Sequence, residues 1–154
     1  MDTTNNIPAN VQKIMDKMEK NNKISLSFKE KRFSNSARRG LELLKLADKK
    51  YEDGIKEYRL RISASQYIIE SPKFMEYIKE AMKREYINIA KKYYTYAGEE
   101  FEFAKNKAHN TNEFDLKDKY KACKFLCDKK ASATESNFEK FTRQRVESLK
   151  SRVK

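Results

Sequence analysis

Two cysteines and one histidine are the residues of this sequence whose chemistry best suits metal binding or nucleophilic catalysis. Cys123 and Cys127 stand four positions apart, so on a helix they share one face. A zinc site needs two more ligands and usually a C-x2-C spacing. His109 has no serine, cysteine or carboxylate at a spacing that suggests a catalytic dyad. The pattern predicts two small buried thiols and a solvated histidine, with no catalytic residue, no metal site and no cofactor.

Carboxylates also occur in pairs, which is the arrangement that acid–base catalysis uses. The pairs are Glu52-Asp53, Glu99-Glu100, and Glu76 with Glu80. Catalysis requires carboxyls that converge in a cleft and have displaced pKa values. These carboxylates stand among lysines on predicted helix surfaces, which is typical of a solvated charged face. We therefore expect that this protein is not an enzyme.

Basic side chains form the strongest chemical feature. The chain has 35 Lys and Arg against 23 Asp and Glu, a formal charge of +12. Such an excess favours a polyanionic partner, although a lysine-rich composition alone gives the same charge. Lys29, Lys31 and Arg32 form one cluster upstream of Arg38. The residues predicted to bind a polyanion are Arg38, Arg39, Lys79, Lys83, Arg84, Lys140, Arg143, Arg145, Lys150 and Arg152.

Contacts to phosphates would make this binding independent of sequence and sensitive to salt. The chain has no helix-turn-helix, zinc-finger, RRM or KH signature, so nothing indicates base readout. The first function hypothesis is a non-enzymatic binding or assembly protein that contacts nucleic acid or a nucleoprotein complex. The alternative is a protein–protein interaction module, such as a scaffold, a virion component or an inhibitor.

Composition and spacing predict that helices carry these residues. Three glycines and two prolines are few, and helix-forming residues abound. Phe and Tyr recur mostly at helical spacing, which argues against disorder. We predict an all-α fold with a short amphipathic helix over residues 8–20, a linker over 21–35, and long helices over 37–70, 72–108 and from 112 onward. Within the linker, alternation over residues 24–28 predicts a short extended segment.

The helix over 37–70 carries the clearest pattern, with apolar residues at alternating steps of three and four. Asp48 interrupts the series, and we interpret it as a polar core residue that sets the register, with a place in a functional pocket as the alternative. Ser34 or Ser36 caps this helix. Ser71 and Pro72 begin the next one, unless Pro72 only kinks a continuous helix. The last helix has a weak stretch at 132–136, which we interpret as a kink at most rather than a break.

Together these elements predict an elongated antiparallel three-helix bundle, coiled-coil-like, with a short N-terminal amphipathic helix. Residues 1–35 form the N-terminal helix and linker, and residues 36–154 form the bundle. In this arrangement Lys79, Lys83 and Arg84 would lie near residues 140–154. Long helices expose much surface relative to their core, so a homodimer is also expected.

The segment over residues 8–20 suggests a third function. Val11, Met15 and Met18 recur at helical spacing with lysines around them, so this helix packs on its own bundle, on a second subunit, or in a membrane interface. Phe138-Glu-Lys-Phe141 followed by basic residues resembles the last helix of BAR-type membrane-curving proteins. The resemblance extends to the outline of an amphipathic helix before three long helices, and it implies binding to a membrane surface.

Apolar runs in the sequence fall short of the roughly 20 residues of a membrane span. The segment Met1–Asn6 lacks the charged-then-apolar order of a signal peptide. We therefore expect an intracellular protein of cellular or viral origin, in the cytoplasm, the nucleoid or the nucleus, and neither secreted nor transmembrane.

Overall fold

A computed structural model describes residues 6–63 and 71–153, with side chains to residue 151. Over these residues every regular element is a helix, which confirms the all-α prediction. The elements are α1 (Ala9–Lys20), α2 (Phe28–Phe33), α3 (Asn35–Ser63), α4 (Pro72–Met82), a π-helical turn (Lys83–Ile87), α5 (Asn88–Asn110) and α6 (Phe114–Val153). None of the helices in these described ranges is long and apolar enough to cross a membrane.

The short amphipathic helix predicted near the N-terminus is confirmed as α1. Pro8 lies at its N-cap, and the Pro8 carbonyl accepts a hydrogen bond from the Gln12 N–H at 2.9 Å. Asn22 adopts a left-handed conformation with φ of 54°, and Lys23 N–H donates to the Met18 carbonyl. This end satisfies carbonyls that the last turn leaves free.

The prediction of a linker over residues 21–35 is wrong for its second half, because α2 lies there. A capping box begins α2: Glu30 N–H donates to the Ser27 side chain at 3.2 Å, and Ser27 N–H donates to the Glu30 carboxylate at 2.6 Å. Phe28 is the first residue of this helix and not the end of an extended segment. The Ser34 hydroxyl then accepts from Ala37 N–H, which confirms the cap predicted for the next helix.

The remaining helix ends agree only in part with the sequence pattern where the structure describes them. α5 ends at Asn110 rather than at 108, and Asn112, with a left-handed φ of 60°, precedes α6, which begins at Phe114 rather than at 112. Residues 64–70 of the predicted 37–70 helix lie outside the described residues. Ser71 accepts a hydrogen bond from Phe74 N–H and Pro72 occupies the first turn of α4, as expected of a restart. The π-helical turn that follows α4 was not predicted. α6 continues through 132–136 without a break, which confirms the single helix predicted there.

Contacts divide the chain into two compact units. The first unit contains residues 1–45 and 94–130, and the second contains residues 46–93 and 131–154, so α3, α5 and α6 contribute residues to both. The predicted boundary between residues 35 and 36 stays a prediction.

The core of the first unit forms where α1, α5 and α6 bury their apolar faces. Val11 and Met15 of α1, Phe101 of α5, and Tyr120 and Cys123 of α6 are all buried. The apolar face of α1 is thus covered by its own unit, which is the usual fate of such a face.

The core of the second unit is built on aromatic side chains. Tyr58, Ile62, Met82 and Phe138 are almost fully buried in one cluster. The rings of Tyr58 and Phe138 meet edge to face, with their centroids 5.8 Å apart. Such pairs add stabilisation beyond the apolar area that they bury.

Part of the buried face of α3 lies one residue before the positions of the predicted apolar series. Gly40, Ala47 and Gly54 are buried, whereas Asp48 is exposed, so its interpretation as a polar core residue is wrong. The small residues are needed because neighbours come close. A Cβ at Gly40 would lie 2.9 Å from the Phe101 ring.

Candidate polyanion-binding surfaces

Two of the predicted polyanion-binding lysines lie in the second unit and are already paired. Lys79 projects from α4 and Lys83 from the π-helical turn, with only 18% and 11% of their side chains exposed. Lys79 lies 3.0 Å from the Glu139 carboxylate, and Lys83 contacts the same carboxylate. The contacts that complete this charge cluster are Lys79–Glu76, Lys83–Glu80 and Lys83–Glu135. Two ammonium groups thus meet four carboxylates, which leaves little positive charge for a ligand.

The protonation states agree with a fixed ion-pair network. Hydrogen bonds from Lys83 and then Lys79 lower the pKa of Glu139. The hydrogen bond to Glu139 in turn raises the pKa of Lys83 above its ordinary value. All three groups therefore stay charged at neutral pH, and the cluster joins α4 and the π-helical turn to α6.

The basic residues beyond Glu139 behave differently. Lys140, Arg143 and Lys150 are exposed, and none of them forms an ion pair within the described part of the chain. Arg145 is half-buried, and its Nε has no hydrogen-bond partner there. Arg84 is exposed on the π-helical turn, whereas the Arg152 side chain lies outside the described residues. Three exposed cations of α6 without an ion pair in the described residues thus lie beyond residue 139, whereas the exposed Lys129 is paired with Glu19.

A cleft of about 320 Å³ opens beside these cations in the second unit. Arg143, Lys150 and Lys79 lie on its wall together with Glu76 and Glu147. Its remaining lining residues are Tyr58, Pro72, Met75, Thr142 and Val146. Burial, followed by the nearby Glu76 charge, raises the pKa of Tyr58 to about 12, so the phenol stays protonated. The charged part of the lining thus combines three cations with two carboxylates.

The clearest positive surface lies on α2 in the first unit. Lys29, Lys31 and Arg32 are exposed and form no ion pair within the described residues. Glu30, the one carboxylate of this helix, has a side chain only 17% exposed. It accepts from Ser27 N–H and lies 3.9 Å from the Lys119 ammonium. The helix therefore turns its negative charge inward and its three cations outward.

Tertiary contacts hold this short helix in place. Tyr120 donates a hydrogen bond to the Glu30 carbonyl at 2.5 Å, and the rings of Phe33 and Tyr120 stack with centroids 6.2 Å apart. The Lys107 ammonium donates to the Phe33 carbonyl at 2.7 Å and lies 4.8 Å from the centre of its ring. An isolated helix of six residues would not persist in water, so these contacts preorganise the three cations.

Arg38 and Arg39 follow on α3, and internal partners occupy both. The Arg38 guanidinium donates to the Asn35 side chain. Arg39 lies 3.1 Å from the Glu100 carboxylate and also donates to the Ser36 hydroxyl. Arg39 remains 57% exposed, so an incoming phosphate can reach it only in competition with Glu100.

The cluster of Lys29, Lys31 and Arg32 is visible in the sequence, but the residues predicted to bind a polyanion lie elsewhere. The useful signal was the Ser27-x-x-Glu30 spacing of a capping box, which predicts both a helix start and a carboxylate occupied by its own backbone. With Glu30 assigned to the cap, the cluster has no negative charge on its outer face.

The thiols and the imidazole show no reactive geometry. Cys123 and Cys127 are buried, and burial raises the pKa of Cys123 to about 12, which keeps the thiol protonated. His109 is exposed in the last turn of α5, which ends two residues beyond the predicted end at 108. The described residues contain no group of three or more His, Cys, Asp and Glu side chains placed to hold a metal ion.

Comparison of the chain with models of protein families, with curated proteins and with solved structures gave no match. Its function must therefore be inferred from its own residues.

Proposed function

We propose that this chain is a non-enzymatic nucleic-acid-binding protein that contacts the phosphate backbone without reading base sequence. The observation that supports this proposal is the outer face of α2, where Lys29, Lys31 and Arg32 are exposed while Glu30 is turned inward. Phosphate groups would replace the counterions of these side chains, and release of condensed cations from the nucleic acid would drive association. The anchoring of α2 reduces the entropy lost on binding.

A wider assembly role belongs to the same proposal. The C-terminal cations Lys140, Arg143 and Lys150 would supply a second contact to the polyanion. We propose that the long helices pack as the three-helix, coiled-coil-like bundle that the sequence predicts, which would present these cations within a nucleoprotein complex. Such a role places the protein inside the cell, in the cytoplasm, the nucleoid or the nucleus.

The proposal is tested by the salt dependence of binding to a labelled duplex and a labelled single strand, measured by fluorescence anisotropy. Each phosphate contact contributes about 0.7–0.9 to the slope of log affinity against log salt. The variant K29Q/K31Q/R32Q should therefore reduce the magnitude of this slope by about 2–3 and weaken binding at low salt.

A matched control removes the same charge elsewhere. Lys56, Lys73 and Lys92 are exposed and lie apart in the sequence of the second unit. K56Q/K73Q/K92Q should change the slope by less than the contribution of one phosphate contact, about 0.7–0.9. Equal effects of the two triple variants would show only a general charge effect. No binding of the wild-type chain at low salt would refute the proposal.

A second candidate, a protein-interaction module, is favoured by an exposed aromatic pair on α4. Phe74 and Tyr77 are 46% and 63% exposed, and their rings stack with centroids 6.4 Å apart. Exposed aromatic side chains are enriched at protein interfaces. The candidate partner is a second copy of the chain, and a mass of one chain at every concentration would contradict it. The membrane alternative has no comparable support, because Val11, Met15 and Met18 are buried in the first unit.

A further inference from the structure

Phe28 is the most exposed large hydrophobic side chain in the described residues, at 78%. It lies at one end of α2, whose other end is fixed by the stacking of Phe33 on Tyr120. Phe28 thus projects from a helix held in position, while its own ring stays accessible. Single exposed apolar side chains are common on protein surfaces, so exposure by itself indicates nothing.

The charges around Phe28 distinguish it from other exposed aromatic residues. Lys31 and Arg32 follow it at three and four positions, so they share its face of the helix, and neither is paired within the described residues. By contrast, Phe103 is 61% exposed next to Glu102, and the cation four positions after it, Lys107, is bound to the Phe33 carbonyl. Phe114 is 55% exposed between Glu113 and Asp115, and the Lys117 ammonium already lies over its ring, 6.0 Å from the centroid. Phe28 therefore combines an accessible ring with positive charge one helical turn away.

This combination suits one class of ligand. Proteins that bind single strands place a base on an aromatic ring and the neighbouring phosphates on cations. In a duplex the faces of the bases are stacked on one another and are not available to a protein ring. A protein partner would also find an apolar ring here, but the three cations of α2, which form no ion pair within the described ranges, favour a polyanion.

We propose that Phe28 stacks on a base of single-stranded nucleic acid while Lys31 and Arg32 contact its phosphates. This inference rests on the proposed function and narrows its ligand from nucleic acid in general to the single strand. The ring adds affinity without adding charge. Its contribution is therefore independent of salt, whereas that of Lys31 and Arg32 is not.

The test uses the full chain with a labelled oligo(dT) of about 16 nucleotides, within the site sizes known for single-strand binding, and with a duplex of equal length. F28A should weaken binding to the single strand about 5- to 150-fold, the range of one base–aromatic stack. Its binding to the duplex and its salt slope should match the wild type. F103A, which removes a similarly exposed ring from acidic surroundings, should bind both ligands like the wild type.

A second variant reports stacking directly. The chain contains no tryptophan, so F28W introduces a single indole whose fluorescence a stacked base would quench. Oligo(dT) should quench it and inorganic polyphosphate, which has charge but no base, should not. F28W should also retain the single-strand affinity that F28A loses, which separates stacking from a folding defect. F103W should show no quenching by either ligand.

The outcomes separate this inference from the proposed function. If the wild-type chain binds neither ligand at low salt, the proposed function fails and Phe28 has no role in it. If the chain binds in a salt-dependent way but F28A has wild-type affinity for oligo(dT), only the stacking proposal is refuted. An equal loss of affinity for both ligands in F28A, or an indole unaffected by oligo(dT), refutes it as well.

Discussion

Gly54 lets α3 approach the π-helical turn more closely than any side chain would permit. A Cβ at this position would lie 2.8 Å from the Cβ of Tyr86 and 3.0 Å from Cδ1 of Ile87. The Tyr86 Cβ is attached directly to its backbone and cannot rotate away. Relief of the clash therefore requires a shift of α3 or of the π-helical turn, which close-packed interiors resist.

We expect G54A to destabilise the protein by about 1–2 kcal/mol. Overpacking usually costs about 1–3 kcal/mol, and the better helix propensity of Ala returns up to about 1 kcal/mol. Thermal unfolding followed by circular dichroism should show a Tm lower by several degrees. E52A, at an exposed position of the same helix, should change stability by less than about 0.5 kcal/mol. A higher Tm for G54A would contradict the close approach.

Gly54 also shows which part of a residue's role local sequence encodes. Its low helix propensity is a property of glycine in any helix. Its contact depends on Tyr86, which lies 32 positions away, and nothing in the local pattern identifies that partner. The surroundings of Phe28 likewise combine local and distant contributions. Lys31 and Arg32 are close to it in the sequence, whereas the inward orientation of Glu30 depends on its hydrogen bond to Ser27 N–H and on the distant Lys119.

At the scale of elements, the π-helical turn and α6 are joined by the carboxylate of Glu139. Glu139 contacts both Lys79 and Lys83, whose side chains are mostly buried. A π-helical turn replaces the regular i→i+4 hydrogen bonding of an α-helix and is rare. Here it carries Lys83 to Glu139 and Tyr86 toward Gly54, so both contacts stabilise an otherwise unfavourable turn.

We expect E139Q to destabilise the second unit by about 1–2 kcal/mol at neutral pH, because it removes charge-assisted hydrogen bonds from two lysines. The pKa of Glu139 is lowered in the folded chain by Lys83 and Lys79. Its stabilising effect is therefore complete above the ordinary pKa range of Glu and is lost as the pH falls through the folded-state value. The difference between E139Q and the wild type should accordingly shrink below about pH 4.

Urea unfolding of both proteins across this pH range measures the effect. E135Q provides a matched control, since Glu135 is 51% exposed and contacts only Lys83, at 3.2 Å. Its effect should stay below about 1 kcal/mol, as for other exposed ion pairs. Equal losses in E139Q and E135Q, or a loss in E139Q that does not change with pH, would show that Glu139 does not hold the cluster together.

Elements were predictable to the extent that their signals are local. α1, the start of α4 and the continuous α6 follow from apolar spacing and from caps, which act within a few residues. α2 has a local start signal in Ser27 and Glu30, but six residues are too few to show a period, and its stability depends on Tyr120 and Lys107 far along the chain. The π-helical turn has no sequence signature of its own, since it forms where tertiary contacts favour it.

For the whole molecule, the positive charge is distributed evenly. The first unit has 18 Lys and Arg against 12 Asp and Glu, and the second has 17 against 11, so each carries +6. Net charge therefore does not single out a binding unit. The candidate binding residues are instead distinguished by their exposure and by their ion pairs. Lys83 is paired with carboxylates, whereas Lys31 and Arg143 have no ion-pair partner in the described residues. This distinction was not accessible from the sequence, because ion pairs between helices depend on the fold.

The exposed aromatic pair of α4 predicts that the whole molecule associates with a second copy. Phe74 and Tyr77 present a stacked, half-exposed surface that a second copy could cover. We expect the mass from light scattering to rise with concentration from the 18.3 kDa of one chain toward twice that value. Tyr77→Glu should keep the chain monomeric. The new carboxylate, beside Glu76 and Glu80, would repel the same carboxylates of the second copy, and its burial in an interface would be costly.

Two controls identify the cause of any association. F103E places the same charge on an exposed aromatic position of the first unit and should leave the mass unchanged. Samples treated with nuclease and measured at high salt exclude chains held together by shared nucleic acid, since such contacts weaken steeply with salt while apolar contacts do not. A mass of one chain at all concentrations, or dimers equally sensitive to F103E and Tyr77→Glu, would leave α4 without a role in self-association. The exposed pair would then be an ordinary solvated surface, and nucleic-acid binding would stand as the sole proposed activity.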